Sequence, residues 1–379
     1  MPLRLLKNLL PSKTGGRGWM VKDVSLVDRI RGGIYALAVG DALGATVEFM
    51  RGEEIQARYG VLQDIVGGGW LNLRAGDWTD DTEMALAVAE GVAKDPENPV
   101  RYIGEAFLRW RATNPPDIGG TVRAVFHAYD LVKDWHQAAK QIHARTGKTA
   151  GNGALMRTLP LAFVYGDALA LFTRCMEVAR MTHWDPEAGL TCYLYCLVAQ
   201  GFLRGREFGE SYNNALDIVR TVIPPGEVGE AAAGLIGKVA QVASWPAEAL
   251  KPTGYTVDTL ACALWCVANS RNFEEAVVKA VNLGGDADTV GAVTGGLAGV
   301  MYGYGAIPDR WVAKFTSDQR ERLEGAVAGL VRLVPENPGA EENFGAGHLE
   351  NAWKTHIDSI PGLRTKFLAP RTDVMYPEE

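Results

Sequence analysis

Apolar residues along this chain recur at helical spacing. Over residues 25–43, Ile30, Ile34, Leu37 and Ala38 repeat every three to four positions, which predicts an amphipathic helix. Residues 78–86, WTDDTEMAL, place Thr79, Asp80, Asp81 and Thr82 just ahead of a second apolar helical pattern. Residues 106–110 belong to another helix, broken by NPPDIGGT at 114–121. Residues 191–203 and 257–269 are apolar enough to read as core helices, with their cysteines and aromatics inside. Between them, residues 219–252 carry an alanine-rich helix framed by prolines, and residues 311–333 form a closing helical region. No strand-like alternation dominates anywhere, and no repeat of 20–50 residues stands out.

Residues 282–303, NLGGDADTVGAVTGGLAGVMYG, organise the rest. Gly284 and Gly285 precede Asp286, Asp288 and Thr289, and Gly291, Gly295, Gly299 and Gly303 then recur every four residues. The pattern predicts a tight turn that delivers acidic side chains to the mouth of a helix with a smooth strip for close packing. Asp and Thr are hard oxygen ligands, suited to Mg²⁺, Mn²⁺ or Ca²⁺. Asp288 reads equally as an N-cap, and Asp80 with Glu83 has the spacing of a capping-box variant. Two helix mouths of the same chemistry, far apart in sequence, favour ligands over caps. If they converge, the carboxylates repel one another unless cations intervene.

Composition narrows the classes. The 379 residues suit one large domain or two, with 47% apolar and 22% charged residues. A net charge of −7 offers no bulk attraction to nucleic acid. The odd count of five cysteines argues against a disulfide framework, so reduced core thiols and a cytoplasmic setting are expected. No apolar run reaches the ~20 residues that span a bilayer. Residues 1–24 start basic and apolar and read as a flexible extension, with Met20 as an alternative start; residues 334–379 read as a tail with one short helix.

Four motifs in order, GDALGATVEF at 40–49, TDDTEMAL at 79–86, GNGALMR at 151–157 and GGDADT at 284–289, resemble the ADP-ribosylglycohydrolases. The resemblance covers residues 27–333. It implies an all-α, compact multi-helix domain over 25–333 around a dinuclear metal centre, usually magnesium or manganese, that cleaves ADP-ribose from a protein side chain. Thr79, Asp80, Asp81, Asp286, Asp288 and Thr289 are the implied metal ligands. Glu48 and Asp117 are the implied catalytic carboxylates, although Gly120 stands where the nitrogenase-type pattern has Asn. Asn152, Gly153, His183 and Tyr255 are the implied substrate contacts. Trp184 reads as an adenine stacker or a core aromatic, Arg157 as part of its loop's function or a surface cation, and Gly67–Gly69 with Trp70 as a lid or a turn near the TDDT helix.

The longer match over 40–60 and GGGW at 67–70 resembles the nitrogenase-type subgroup. That implies ADP-ribosylated dinitrogenase reductase as the substrate, an arginine linkage, and control by docking to a nitrogen-sensing signal protein. Two other functions fit the same residues. One is a hydrolase for serine-linked or free ADP-ribosyl conjugates. The other is a non-catalytic ADP-ribose-binding protein.

Overall fold

The computed structural model describes residues 24–223 and 225–334. The extensions expected at 1–24 and 334–379 lie almost wholly outside these residues. Among those described there are sixteen α-helices and no strand, which is the all-α class expected.

Ser25 caps the opening helix, Leu26–Gly44, by accepting from the Asp28 N–H at 3.2 Å. The glycine helix, Ala287–Tyr302, runs antiparallel to it. Small residues every fourth position on both helices bring the backbones into direct contact. A Cβ on Gly40 would lie 2.0 Å from the Gly291 carbonyl oxygen, and one on Gly291 would lie 2.4 Å from that of Gly40. Further along, Gly295 lies against Ala36 and Gly299 against Gly32 in the same way. The smooth strip read from the sequence is therefore an interface with the opening helix.

This contact sets where the chain goes next. It lays the end of the opening helix beside the start of the glycine helix, so the loop holding Glu48 runs along the GGDADT turn. Two backbone hydrogen bonds stitch them, Phe49 N–H to Gly285 O at 2.7 Å and Gly285 N–H to Met50 O at 2.8 Å. Gly284 and Gly285 both take positive φ, 77° and 65°, which a tight turn of this kind requires.

The core is built around helices buried on every side. The glycine helix is buried from Ala287 to Val300, and the Pro186–Leu203 helix from Ala188 to Phe202. Neither has a polar face, as the sequence pattern implied. Helices Thr256–Ala268 and Phe273–Val281 complete this layer. All five cysteines are free and buried. The closing region forms two pieces, Asp309–Val312 and Ser317–Val331, the second capped by Thr316 with Gln319 in a capping box.

Gly40→Ala should lower thermal stability sharply, by about 1–3 kcal/mol or more, because the added methyl meets backbone and not a movable side chain. Gly234→Ala, in the exposed interior of helix Glu227–Val239 with open space around it, should instead raise stability by roughly 0.5–1 kcal/mol. Thermal or urea unfolding of the two variants checks the pair.

Candidate active site and carboxylate cluster

Asp41, on the last turns of the opening helix, anchors the TDDT mouth. Its fully buried carboxylate accepts from the Thr79 N–H at 3.0 Å, the Thr79 hydroxyl at 2.9 Å, the Thr82 N–H at 3.0 Å and the Thr82 hydroxyl at 2.6 Å. Burial pushes Asp41 up to about 6, and these donors pull it part of the way back. Thr79 is the N-cap of helix Asp80–Lys94, which leaves Asp80 and Asp81 free of capping duty. Glu83 closes no capping box: it accepts from the Trp78 indole and pairs with Arg322.

At the other mouth Asp286 occupies the N-cap position, and its side chain caps nothing. Its Oδ2 accepts instead from Asn152 at 2.6 Å. Asp288 lies within the first turn, not at the cap, and its Oδ1 accepts from the adjacent Thr289 N–H at 2.9 Å. The cap reading of Asp288 is thus corrected. The two mouths meet where the Thr289 hydroxyl donates to Asp81 Oδ2 at 3.4 Å, joining residues 208 apart in sequence. Asp81 Oδ1 is buried with no hydrogen-bond partner among the described residues.

Glu48, Asp80, Asp117, Asp286 and Asp288 line one cavity of about 510 Å³. Carboxylate oxygens of Glu48, Asp117 and Asp288 lie within 4.8 Å of one another. Asp80 Oδ2 accepts from the Gly119 N–H at 3.1 Å, tying the 114–121 turn to the TDDT mouth. Gly120 also lines the cavity, with open space where a side chain would stand. A larger cleft, about 900 Å³, lies beyond Asp80 and Asp117; it holds neither Glu48 nor the GGDADT residues, so the candidate site is the smaller cavity.

The acids here are driven toward protonation. Burial raises Asp80, Asp81 and Asp288 well above the ordinary carboxylate range, and neighbouring carboxylates add to it: Asp117 for Asp80, Asp41 for Asp81, and Asp81 for Asp288. Glu48 is pushed up to about 7, by burial first, against the indole hydrogen bond from Trp70 at 2.5 Å. Asp117 is raised by burial and held down by Arg123.

The opposite wall comes from Gly151, Asn152, Gly153, Met156 and His183. Asn152 bridges Asp286 and the Thr259 hydroxyl, and its N–H donates to Gly254 O at 3.0 Å. His183 packs closely against Gly153, whose Cβ would come within 2.8 Å of Cε1. Burial lowers His183 to about 3, with Arg157 adding to the effect, so it is neutral at physiological pH. Arg157 is fully buried and not at the surface. It donates to Gly153 O, Val178 O and Thr182 Oγ1, and so holds the loop from behind. Tyr255 does not line the cavity: its hydroxyl donates to Glu187 at 2.5 Å and accepts from Lys238. Trp184 lies near Arg180 and Lys140 as a partly buried aromatic at the core's edge.

Sequence reasoning did not single out Asp41, and it gave Trp70 no partner. The signal for Asp41 was available: a lone acid in the apolar stretch GDALGA needs buried donors to be tolerated. Trp70 carried no comparable signal, because only the fold brings it to Glu48.

The chain as a whole is similar to known proteins. A family model described as ADP-ribosylglycohydrolase matches residues 22–340. The chain is 34% identical to the ADP-ribosyl-[dinitrogen reductase] glycohydrolase of Rhodospirillum rubrum, over 82% of this chain and 98% of that protein. It is 30% identical to the ADP-ribosylarginine hydrolase Tri1 of Serratia proteamaculans, over 84% of this chain and 82% of that protein. A solved structure titled ADP-ribosylglycohydrolase-related protein complex superposes with a TM-score of 0.68 at 34% identity, covering 82% of this chain and 99% of that one. The family model spans the opening helix to the closing helix, and the chain belongs to the ADP-ribosylglycohydrolase family of hydrolases.

Proposed function

We propose that this enzyme hydrolyses the N-glycosidic bond between ADP-ribose and a protein arginine, using two divalent cations, magnesium or manganese. The observation that carries the reading is the meeting of Asp81 and Thr289 behind a cavity lined by five further carboxylates. The donor set fits hard cations, since it is all oxygen, with neither Cys nor His in it. Asp81 Oδ1, buried and without a partner, is costly unless a cation meets it. Thr79, Asp80, Asp81, Asp286, Asp288 and Thr289 are the residues that would hold the ions. Such ions, when bound, offset carboxylate charge and orient ribose hydroxyls and a water.

The remaining steps fall to the chain itself. Glu48 and Asp117 stand in the cavity wall outside both metal motifs, within reach of the same point. As the anomeric carbon passes through an oxocarbenium-like state, these carboxyls take a proton from the attacking water and return one to the departing guanidine nitrogen. The C–N bond breaks, a C–O bond forms, and free ADP-ribose and unmodified arginine leave. Asn152 and Gly153 shape the opposite wall, and neutral His183 offers a hydrogen-bonding edge without titrating.

Two observations support an arginine linkage and dinitrogenase reductase as the target. One is the resemblance of residues 40–60 and 67–70 to the nitrogenase-type subgroup; the other is the names of the two relatives above, one for arginine and one for dinitrogen reductase. Control by a nitrogen-sensing signal protein rests on the subgroup match alone. Among the described residues no helix is long and apolar enough to cross a membrane.

Hydrolysis of ADP-ribosyl-arginine, ADP-ribosyl-serine and ADP-ribosylated dinitrogenase reductase, each with and without Mn²⁺, tests the proposal. Arginine conjugates should be cleaved only with metal. Glu48→Gln or Asp117→Asn should cut turnover roughly 100-fold or more while ADP-ribose still binds. Preference for serine would overturn the linkage. Cleavage of the free arginine conjugate, with dinitrogenase reductase left modified, would overturn the target alone.

Stability should also respond to pH when metal is withheld. Glu48 rises from an ordinary 4.5 to about 7 and Asp41 from 3.8 to about 6 on folding, so the folded chain binds these protons more tightly than the unfolded one. Folding is therefore favoured at low pH, and that advantage is lost as pH rises from about 4 to about 7. In EDTA, the melting temperature should fall between pH 5 and 7.5, and added Mn²⁺ should restore more at pH 7.5 than at pH 5. A flat or rising profile in EDTA would contradict this.

A further inference from the structure

Two unusual backbone segments converge on one hydrogen bond. Phe49, directly after Glu48, has φ +63°, a region that bulky side chains rarely adopt. Gly67, Gly68 and Gly69 take φ of 71°, 83° and 67° in succession. Gly69 presses so near the Glu48 loop that a Cβ would lie 2.3 Å from the Ala45 carbonyl oxygen. The next residue, Trp70, donates its indole N–H to Glu48 Oε2 at 2.5 Å. The positive φ of Phe49 is strained and persists only where its surroundings impose it, and such conformations gather at functional sites; the three glycines adopt theirs freely.

Packing does not account for the indole's position. Trp70 is 53% exposed and its ring touches the still more exposed Phe49, with centroids 5.6 Å apart. Glu48 and Phe49 line the cavity, whereas Trp70 does not. The indole therefore reaches Glu48 from outside the cavity, and the carboxylate it holds faces Asp117 and Asp288. A single N–H on a carboxylate oxygen is a charge-assisted bond with defined direction.

We propose that Trp70 is a positioning residue for Glu48: it fixes the carboxylate against the Asp117–Asp288 side of the cavity without touching the substrate. The proposal rests on the reading of Glu48 as a proton carrier. Phe49 and the three glycines deliver the indole, and loss of the N–H should be felt in the chemical step and not in binding.

Trp70→Phe keeps the aromatic contact and removes the donor. Turnover of ADP-ribosyl-arginine should fall roughly tenfold or more, with the ADP-ribose dissociation constant unchanged by calorimetry. In the Glu48→Gln background the same substitution should cost nothing further. Independently of turnover, the indole ¹H–¹⁵N resonance that disappears in Trp70→Phe should shift in Glu48→Gln. Full activity of Trp70→Phe beside an impaired Glu48→Gln would overturn the positioning role and leave the reaction intact. A drop that multiplies with Glu48→Gln, or weaker ADP-ribose binding, would make Trp70 a substrate contact and also overturn it. An unshifted indole resonance would remove the contact itself. A fully active Glu48→Gln would remove the reading of Glu48, and this inference with it.

Discussion

The antiparallel contact between the opening helix and the glycine helix is the constraint on which the site depends. At Gly40 and Gly291 the two backbones touch with no room for a single methyl group. This fixes the register of one helix against the other. The same register puts Asp41 and Glu48 beside the GGDADT turn. Small residues every fourth position are weak as a functional signal. Here they are the means by which acids distant in sequence reach one cavity.

The cluster so formed is unfavourable on its own. Its carboxylates are buried together, and burial with mutual repulsion raises Asp80, Asp81 and Asp288 toward the neutral form. The fold offsets part of this with fixed donors: Thr79 and Thr82 on Asp41, Asn152 on Asp286, and Gly119 on Asp80. What is left without a partner, above all Asp81 Oδ1, lies where the two mouths meet. Oxygen acceptors with unspent lone pairs support the cation site proposed above, and any carboxylate kept ionised there would favour the positive charge that develops on the sugar. Arg157 stands close enough to add to the balance, but its Nη donors are directed to Gly153, Val178 and Thr182.

Much of this was legible in the sequence because its signals are local. The helices follow from apolar spacing, and the opening helix differs from the expected bounds by one residue at each end. The Asp/Thr mouths follow from residue chemistry before a helix start. What local pattern could not supply was partnership. Asp41 needed the knowledge that Thr79 and Thr82 come to it, and Trp70 needed the fold of a glycine loop across Glu48. Arg157 looked like a surface cation because nothing in GNGALMR tells that Phe107, Met84 and Thr182 surround it. Tyr255 was singled out as a substrate contact, yet its hydroxyl is committed to Glu187 and Lys238.

We propose that the two helix mouths are halves of one metal site. Anomalous diffraction from crystals of the full chain grown with Mn²⁺ tests it most directly. Two manganese peaks per chain are expected, each within ~2.0–2.3 Å of oxygens drawn from Thr79, Asp80, Asp81, Asp286, Asp288 and Thr289, with at least one peak touching both mouths. Absence of peaks at saturating Mn²⁺, or peaks bound by one mouth alone, would contradict it.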